Sequence, residues 1–419
     1  MTRDKSIGLV GFGASSKALA LHFLPLGYNI TIHSYEPIAL PSGASGCFGE
    51  NYLVCNEDIV FRSPSVRPDM IKATGRVLCE SEYALSQLGG VKICITGSDG
   101  KTTTSTLIHK ALCTEHNAFL GGNIGIPLTN AIGKDYDFIV SELSSFQLMD
   151  YAPTCDVAVI TNITPNHLNW HKSMDEYKSA KESVLKNARH RVLCYDSMPV
   201  RALASKYKSI SLFSLSDLSG LGYEGAYLKN EYIYLNDTRL ISKNELSVMG
   251  DFNLLNVMAC ACATQSYVSR CNLIQAIREF KGVEHRCELV RKINGISLYN
   301  SSIDTTPSRT IATLSAFDKS KTIVILGGQD KGVSFEPLKS ALASLRGAIV
   351  FGQSKDKILP HLKCKSYVVN TLKEAVLCAL SIARVGDFIV LSPACTSFDM
   401  FKDYKERGET FCKIANEIC

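Results

Sequence analysis

The feature that most constrains the fold of this chain is the segment ICITGSDGKTTT, residues 93–104. An apolar run ends at Gly97, a short turn follows, and Lys101 and Thr102 stand where a helix would begin. Glycines let a backbone come close to a ligand, and the N–H groups at a helix start attract anions. A lysine and a threonine at this point add a positive charge and a magnesium ligand. The segment therefore predicts a strand, a phosphate-binding loop and a helix, and it favours a bound nucleoside triphosphate.

The loop departs from the common phosphate-binding pattern at one position. That pattern has a glycine six residues before its lysine, whereas this chain has Ile95. The shorter sequence G-x-x-G-K-T remains, and the strand and helix signals on either side support it. The residues expected to contact the nucleotide here are Gly97, Ser98, Asp99, Gly100, Lys101, Thr102 and Thr103.

The size and composition of the chain indicate a soluble protein of several domains. Its 419 residues exceed what one hydrophobic core usually serves. Hydrophobic residues make up 46% and charged residues 20%, and the net charge of +5 forms no basic block, so nucleic acid is not implied. The 16 cysteines include no C-x-x-C pair, which favours free thiols in a reducing cytoplasm. No apolar run approaches the roughly 20 residues of a membrane span, so we expect a cytoplasmic protein.

Strand and helix patterns divide the chain into three regions. Residues 1–90 contain IGLVGFG, NITIHSYEP, DIVFRSPS and RVLCES; residues 91–282 contain VKICITG, DFIVSEL and DVAVITNIT; residues 283–419 contain five strand-like runs from GISLYNSS to DFIVLSPACTSFD. Apolar strands that alternate with helices are typical of parallel sheets covered on both faces. The sequence therefore predicts an α/β fold of three domains, Rossmann-like at both ends and with a phosphate-loop ATPase in the centre.

The first region contains part of a dinucleotide-binding fingerprint. Gly11, Gly13 and Glu36 fit it, but its third glycine is replaced by Ser16. A partial match of this kind is weak, so a dehydrogenase or nicotinamide-binding module ranks below general ligand binding.

Polar residues cluster where the central strands end, which is where open α/β sheets bind ligands. Glu142 ends DFIVSE, and a carboxylate beside Thr102 suits magnesium, although an isolated acid at a strand end is more often only hydrogen-bonded. His167 follows the third strand, where a lone histidine is usually structural. His171 lies four residues further on, but Pro165 and the lack of other ligands argue against zinc.

Three candidate residues lie on predicted helices. Lys181 lies in YKSAKESVLKNA, where lysines mostly face water. Asn253 and Asn256, one turn apart in GDFNLLN, either cap buried backbone or meet a ribose or base.

In the last region, lysine and hydroxyl donors stand at strand ends. Lys331 follows one strand, and Ser397, Phe398 and Asp399 follow another. Donors of this kind suit a carboxylate ligand.

Nine segments within residues 97–401 resemble, in their order, those of the Mur ligases: GSDGKTTT, GGNIGIP, SELSSFQL, TNITPNHLNWH, YKSAK, GDFNLLN, GVEHR, GGQDKG and LSPACTSFDMF. SELSSFQL and LSPACTSFD resemble the branch of the family that adds D-glutamate. The resemblance implies an ATP-dependent, cytoplasmic step of peptidoglycan assembly in which D-glutamate joins UDP-N-acetylmuramoyl-L-alanine through an acyl phosphate. Another ATP-dependent carboxylate–amine ligase, such as a folylpolyglutamate synthetase, is the alternative, and LSPACTSFD argues against it.

The resemblance also implies roles for the three regions and for individual residues. Residues 1–90 would bind the UDP-sugar, residues 91–282 ATP and residues 283–419 the amino acid, in a monomer without nucleic acid or membrane partners. Lys101, His167 and Lys181 would be catalytic. One Mg²⁺ would be held by Thr102 and Glu142, and a second by His167 and a CO₂-derived carbamate on Lys181.

Further matches concern the three substrates. The resemblance assigns the nucleotide to Asn253, Asn256, His285 and Arg286 in addition to the loop. It assigns the UDP-sugar substrate to Ser15, Ser16, Glu36, Ser63, Arg67 and Asn123. Of these, Asn123 would lie near the substrate or the metal. It assigns D-glutamate to Thr305, Lys331, Ser397, Phe398 and Tyr404.

Two segments depart from the family pattern. Where many members read NDSKATN, this chain reads NSSIDTT, so Ser301 replaces an aspartate and Ile303 a lysine, and Asp304 is the candidate substitute for the lost acid. The segment RSPS, residues 62–65, replaces an SPG turn and has Ser65 for glycine, which could alter the approach of backbone to phosphate.

Overall fold

Three sheets dominated by parallel strands carry the fold in the computed structural model of the protein, which describes residues 6–418. They belong to two units: residues 6–244 with 255–277, and residues 245–254 with 278–418. The predicted α/β class is confirmed, whereas the predicted boundaries at residues 90 and 282 stay a prediction. None of the helices within residues 6–418 combines the length and the apolar character that a bilayer crossing requires.

The first sheet has five parallel strands. The elements of this region are β1 (Ser6–Val10), α1 (Ala14–Phe23), β2 (Asn29–Ser34), β3 (Ala44–Phe48), β4 (Val54–Cys55), β5 (Ile59–Arg62), β6 (Lys72–Ala73), β7 (Arg76–Cys79) and α2 (Glu80–Gln87). The strand order is β3-β2-β1-β5-β7, and β4 pairs separately with β6. Ile7 and Leu9 of the central strand pack with Phe23 of α1, so the predicted strand and helix at the N-terminal end are confirmed.

The second sheet has nine strands, in the order β16-β15-β14-β13-β12-β11-β8-β10-β9. Its region consists of β8 (Val91–Thr96), α3 (Lys101–Leu112), β9 (Ala118–Gly122), β10 (Phe138–Glu142), β11 (Thr154–Ile160), α4 (Met174–Lys186), β12 (Asn187–Cys194), α5 (Met198–Arg201), β13 (Ile210–Ser214), β14 (Glu224–Lys229), β15 (Tyr232–Leu235), β16 (Thr238–Ser242), α6 (Asp251–Thr264) and α7 (Arg270–Glu279). Pairing is parallel from β9 to β14, and β15 and β16 add antiparallel hairpins.

The register of the central strands brings their carboxyl ends together. Strand β8 lies between β10 and β11, with Ile95 opposite Glu142 and Thr96 opposite Ile160. On its other side, Glu142 stands opposite Gly122 of β9. The phosphate-loop segment, the acid and the end of β11 therefore share one edge of the sheet.

The third sheet has six strands, in the order β17-β18-β22-β19-β20-β21. Its region consists of β17 (Glu288–Ile293), β18 (Ile296–Asn300), α8 (Pro307–Leu314), β19 (Thr322–Gly327), α9 (Leu338–Ala341), β20 (Gly347–Phe351), α10 (Lys355–Ile358), β21 (Ser366–Val368), α11 (Leu372–Ile382), β22 (Phe388–Leu391) and α12 (Tyr404–Glu417). The five predicted strands are all present and parallel, and β17 adds an antiparallel edge strand that the sequence did not predict.

Candidate active site

The phosphate-loop segment forms a tight turn between β8 and α3. Gly97 has φ of 153° and Gly100 has φ of 79°, which L side chains rarely adopt. A Cβ at Gly97 would lie 1.8 Å from Thr161 Oγ1, and one at Gly100 would lie 2.4 Å from Asn256 Oδ1. Helix α3 begins at Lys101, and its N-cap residue is Gly100, which has no side chain to cap it. The start of such a helix attracts anions, and the predicted strand, turn and helix are confirmed.

The segment after β11 holds this loop in shape. The backbone N–H of Ser98 donates to Asn162 O at 2.9 Å, and that of Asp99 donates to Asn162 Oδ1 at 2.9 Å. Thr161 Oγ1 donates to Asp99 O at 2.5 Å, and Ser98 Oγ donates to Thr164 O at 3.0 Å. The loop is thus ordered by neighbouring side chains before any ligand arrives, which reduces the reorganisation that binding requires.

Two lysines converge on the carbonyl oxygen of Gly97. Lys101 Nζ donates to it at 2.9 Å and to Ser98 O at 2.9 Å, while Lys181 Nζ, from α4, donates to Gly97 O at 2.6 Å. Lys181 is 2% exposed and its ammonium lies 4.7 Å from the centre of the Tyr177 ring. Burial, followed by the nearby Lys101 charge, holds the pKa of the Lys181 amine well below its usual range. A lysine on a helix is usually a solvated surface charge, but Lys181 is buried.

The Glu142 carboxylate is buried beside the loop and has one free oxygen. Its side chain is 1% exposed, and Oε1 accepts from Asn123 Nδ2 at 2.7 Å. Within residues 6–418, Oε2 has no hydrogen-bond partner. A buried carboxylate oxygen without a donor is costly unless a cation meets it, and magnesium prefers such hard oxygen ligands. Glu142 therefore fits the magnesium ion that the sequence analysis assigns to it together with Thr102, which lies in the first turn of α3.

The two histidines of the TNITPNHLNWH segment differ in their surroundings. His167 is exposed, has φ of 55°, and stacks edge-on against Phe146 at 5.0 Å between ring centres. Partial burial and the charges of Lys101 and Lys181 lower its pKa, so His167 lies in the field of both lysines. His171 is 2% exposed and its Nε2 lies 2.9 Å from Ser145 Oγ. These surroundings are those of a residue with a structural role.

The two asparagines of α6 are both buried, at 5% and 4% exposure. Asn256 Oδ1 accepts from Thr104 Oγ1 at 3.1 Å and lies against Gly100 of the loop. Asn253 Nδ2 donates to Met249 O at 2.7 Å. Asn256 thus supports the phosphate loop, and contacts of either residue with the nucleotide stay a prediction.

A cavity of about 170 Å³ lies between the first and second sheets. It is lined by four of the residues assigned to the UDP-sugar substrate, which are Ser15, Ser16, Ser63 and Asn123. Gly13, at the start of α1, and Gln147 also line it. Glu36 is exposed, two residues beyond the end of β2, and is not among the lining residues.

Arg67 lies in an ionic cluster with neighbouring residues. Its guanidinium donates to Glu176 at 2.9 and 3.0 Å, to Asp69 at 2.9 and 3.2 Å, and to Trp170 O at 2.7 Å. The hydrogen bonds to Glu176 and Asp69 raise the pKa of Arg67 above its usual range. The structure therefore joins Arg67 to the start of α4, and a direct contact with substrate stays a prediction.

Arg62, at the end of β5, is a buried residue that the sequence did not single out. It is 1% exposed, and its guanidinium pairs with Asp150 and donates to Phe146 O at 2.9 Å. Both partners belong to the segment that follows Glu142. Arg62 thereby links the first sheet to the loop beside the buried acid.

We expect Arg62→Ala to destabilise the protein by about 3 kcal/mol, because it removes a fully buried guanidinium and leaves Asp150 without its partner. Urea unfolding followed by far-ultraviolet circular dichroism measures the effect. Arg76→Ala is the matched control, since the Arg76 side chain is 71% exposed and pairs with Glu82 on the surface. Its effect should stay below about 0.5 kcal/mol. Equal losses in the two variants would contradict the importance of the buried pair.

In the second unit, two turns that carry predicted D-glutamate residues lie side by side. Gln329 and Thr396 exchange two backbone hydrogen bonds of 3.0 Å, which joins the turn after β19 to the turn after β22. Lys331 Nζ donates to Thr305 Oγ1 at 3.1 Å. Ser397 is 1% exposed, and among the described residues its Oγ has no hydrogen-bond partner.

Four further predicted residues lie in the second unit. Phe398 is 64% exposed. Tyr404 begins α12, and its ring lies 6.2 Å from that of His285. His285 is 8% exposed and has φ of 61°, and a Cβ at Gly408 would lie 2.2 Å from its Nδ1. Its neighbour Arg286 is half-buried.

Asp304 occupies an enclosed position in the same unit. It is 4% exposed, its Oδ2 accepts from Ser392 Oγ at 2.8 Å, and burial raises its pKa above the ordinary value. To replace the acid lost at Ser301, the Asp304 carboxyl would have to leave its hydroxyl partners.

Arg407, on α12, is a second buried arginine that the sequence did not single out. It is 0% exposed and donates to Ser302 O at 2.8 Å, Cys395 O at 3.1 Å and Thr396 O at 3.0 Å. These carbonyls belong to the turns after β18 and β22. Burial lowers the pKa of Arg407 to about 10. No local sequence signal marks it, since a helix arginine is most often exposed.

Two family models match the chain. The Mur ligase middle domain matches residues 95–264, and the Mur ligase, glutamate ligase domain matches residues 285–395. Together the two matches contain seven of the nine segments on which the sequence resemblance rests, and they include only parts of GVEHR and LSPACTSFDMF.

Similar proteins match nearly the whole chain. The UDP-N-acetylmuramoylalanine–D-glutamate ligases of Clostridium botulinum strain Alaska E43 and Clostridium perfringens strain 13 are 38% and 37% identical, over 99% of this chain and 97% of each relative. Among solved structures, the UDP-N-acetylmuramate–alanine ligase of Thermotoga maritima superposes with a TM-score of 0.60 at 20% identity, covering 98% of this chain and 99% of that one. The structural likeness concerns the fold.

Proposed function

The chain belongs to the Mur ligase family, and we propose that it joins D-glutamate to UDP-N-acetylmuramoyl-L-alanine with conversion of ATP to ADP and phosphate, in peptidoglycan precursor synthesis. The observation that carries the proposal is the likeness along 99% of the chain to ligases named for this reaction. The phosphate loop, with Lys101 and Glu142 at one sheet edge, supplies a site of the right chemistry for ATP. The relatives' names do not favour the folylpolyglutamate alternative.

In the first step, a terminal carboxylate oxygen of the UDP-sugar substrate attacks the γ-phosphorus of ATP. The new O–P bond forms as the bond to the β,γ-bridging oxygen breaks, and ADP leaves with that electron pair. Lys101 and the N–H groups at the start of α3 offset the negative charge of the transferring group. Magnesium, when bound, supplies further charge neutralisation. Thr102 and Glu142 would hold one ion, and His167 and Lys181 would address a second.

We place the CO₂-derived carbamate on Lys181. Its lowered pKa leaves more of the amine unprotonated, and a neutral amine can add to CO₂ with release of a proton. The product replaces a buried cation with an anionic oxygen that suits a metal ion. A buried ammonium 2.6 Å from Gly97 O and in the field of Lys101 gains from that change of charge.

In the second step, the amine of D-glutamate attacks the acyl carbon, and the tetrahedral intermediate expels phosphate to leave an amide. Residues 1–90 bind the UDP-sugar, residues 91–282 bind ATP, and residues 283–419 bind the amino acid. Asn253, Asn256, His285 and Arg286 complete the nucleotide site. The UDP-sugar substrate is bound by Ser15, Ser16, Glu36, Ser63, Arg67 and Asn123, and D-glutamate by Thr305, Lys331, Ser397, Phe398 and Tyr404. The protein acts in the cytoplasm as a monomer, without nucleic acid or membrane partners.

Phosphate release tests the proposal. With ATP and Mg²⁺ present, release should require both UDP-N-acetylmuramoyl-L-alanine and D-glutamate, because the acyl phosphate forms only on the first and is consumed only by the second. Colorimetric phosphate detection and mass spectrometry of the amide product measure the reaction. Substitution of L-glutamate or of a folate substrate is the control. Equal release with either of them would overturn the assignment to D-glutamate.

A further inference from the structure

A cluster of three metal-type ligands lies in the region of the first sheet, apart from the candidate active site. Its members are His33 on β2, Cys55 on β4 and Glu57 in the turn that precedes β5. Their exposures are 2%, 0% and 9%. One ligand atom from each lies within 4.8 Å of the other two. His33 Nε2 is 3.0 Å from Glu57 Oε1, and Cys55 Sγ is 3.7 Å from His33 Nδ1.

The Glu57 carboxylate has a buried oxygen that none of the described residues satisfies. Oε2 has no hydrogen-bond partner within residues 6–418 and is shielded from solvent. A buried carboxylate oxygen left in this state is expensive unless a cation or donor meets it. This atom is the observation that points to a ligand at the cluster.

The central strand leaves room for this carboxylate. Gly8 stands in the middle of β1, and a Cβ there would lie 2.9 Å from Glu57 Oε2 and 3.5 Å from His33 Nε2. Glycine weakens the interior of a strand, and it often marks a place where another group approaches closely. Gly8 therefore leaves space for the cluster, because any side chain at this position of β1 would collide with the Glu57 carboxylate.

A nucleophilic role for the thiol does not fit these surroundings. Cys55 is 0% exposed, so no substrate reaches it. Burial, followed by the neighbouring Glu57 and Cys47, raises the pKa of the Cys55 thiol to about 12. A reactive cysteine needs access and a lowered pKa, and Cys55 has neither.

We infer that His33, Cys55 and Glu57 form a structural zinc site. Zinc takes thiolate, imidazole and carboxylate ligands at about 2.0–2.3 Å, so two donors on one tetrahedral ion lie about 3.5 Å apart. Three donors within 4.8 Å reach that geometry through side-chain shifts on the order of 1 Å. The two oxygens of one carboxylate lie too close together to fill two tetrahedral positions, so a water molecule would supply the fourth ligand.

Charge also balances at this site. Binding displaces the proton of the Cys55 thiol to solvent, and the thiolate and the Glu57 carboxylate together neutralise Zn²⁺, with His33 as a neutral ligand. A neutral assembly is much less costly to bury than a lone ion. The bound ion would also stiffen the turn that leads to α1, because His33 O accepts the N–H of Gly11 at 2.8 Å.

Cobalt binding to the full-length protein tests this inference. The chelator-treated protein, without nucleotide or magnesium, should bind a single Co²⁺ with a thiolate-to-cobalt charge-transfer band and the visible bands of tetrahedral cobalt, and added Zn²⁺ should abolish both. Cys55→Ser should remove the charge-transfer band. Glu57→Gln, which keeps the side-chain shape, should weaken binding about 10- to 100-fold.

The matched control is Cys79→Ser, since Cys79, on β7 of the same region, is also buried but its Sγ neighbours Ser81 Oγ at 3.2 Å. It should bind cobalt like the unmodified protein. Zinc should raise the thermal midpoint of the unmodified protein and of Cys79→Ser more than that of Glu57→Gln, which also serves if Cys55→Ser does not fold. Absence of a thiolate band in the unmodified protein, or cobalt binding unaffected by Glu57→Gln, would overturn the zinc site.

Discussion

Lys101→Ala is expected to reduce kcat for phosphate release by at least about 1,000-fold. The transferring phosphoryl group carries negative charge that the Lys101 ammonium offsets at the start of α3, and alanine leaves only backbone N–H groups and metal for this task. The loop should keep its shape, because Asn162 and Thr161 still hold its backbone at Ser98 and Asp99. Steady-state kinetics at saturating ATP, UDP-N-acetylmuramoyl-L-alanine and D-glutamate measure the effect.

Lys110→Ala is the matched control for this prediction. Lys110 lies in the last turn of the same helix, nine residues beyond Lys101. Its removal changes the net charge equally but leaves the phosphate loop intact, so kcat should change less than about 2-fold. Near-normal turnover of Lys101→Ala would remove the lysine from the mechanism.

Lys181→Ala is expected to lose activity to a similar extent and to regain part of it with added acetate. Alanine opens a space in a position that is 2% exposed, beside Gly97 O and in the field of Glu142. A small carboxylate in that space replaces the anionic oxygen that a carbamate would offer to the metal. Phosphate release at increasing acetate concentration measures the rescue.

The control for rescue is Lys178→Ala, one turn earlier on α4. The Lys178 side chain is 42% exposed and pairs with Asp175 at 3.6 Å on the surface. This variant should remain active and should not respond to acetate. Full activity of Lys181→Ala without acetate would return Lys181 to an ordinary structural role. An inactive variant that acetate does not restore would count against the carbamate.

The elements that position the phosphate loop could be predicted because each carries a strong local signal. VKICITG and DFIVSEL are unbroken apolar runs, and they form β8 and β10 as parallel neighbours. The turn residues and the lysine predict the start of α3 at Lys101. Elements without such a signal were missed: β3 (ASGCF) has few strand-forming residues, and β17 is half-buried at an edge.

The surroundings of individual side chains could be predicted less well than the elements. Lys181 lies in a helix whose spacing suits an exposed lysine, and only the family resemblance assigned it a role. Arg62 and Arg407 are buried because loops far away in sequence supply their acceptors. The cluster of His33, Cys55 and Glu57 joins three residues from different elements, with no metal-binding spacing among them. Such positions depend on tertiary packing, which local patterns do not encode.

The central claim is that the negative charge of ATP is offset at the carboxyl edge of the second sheet, by Lys101 and by a divalent ion at Glu142. A crystal structure of the protein with a non-hydrolysable ATP analogue and Mn²⁺ in place of Mg²⁺ tests it most directly. We expect the phosphates to accept hydrogen bonds from Lys101 Nζ and from the N–H groups at the start of α3, with an anomalous manganese peak in coordination distance of Glu142 Oε2. Phosphates bound away from this edge, or manganese without contact to Glu142, would contradict the account.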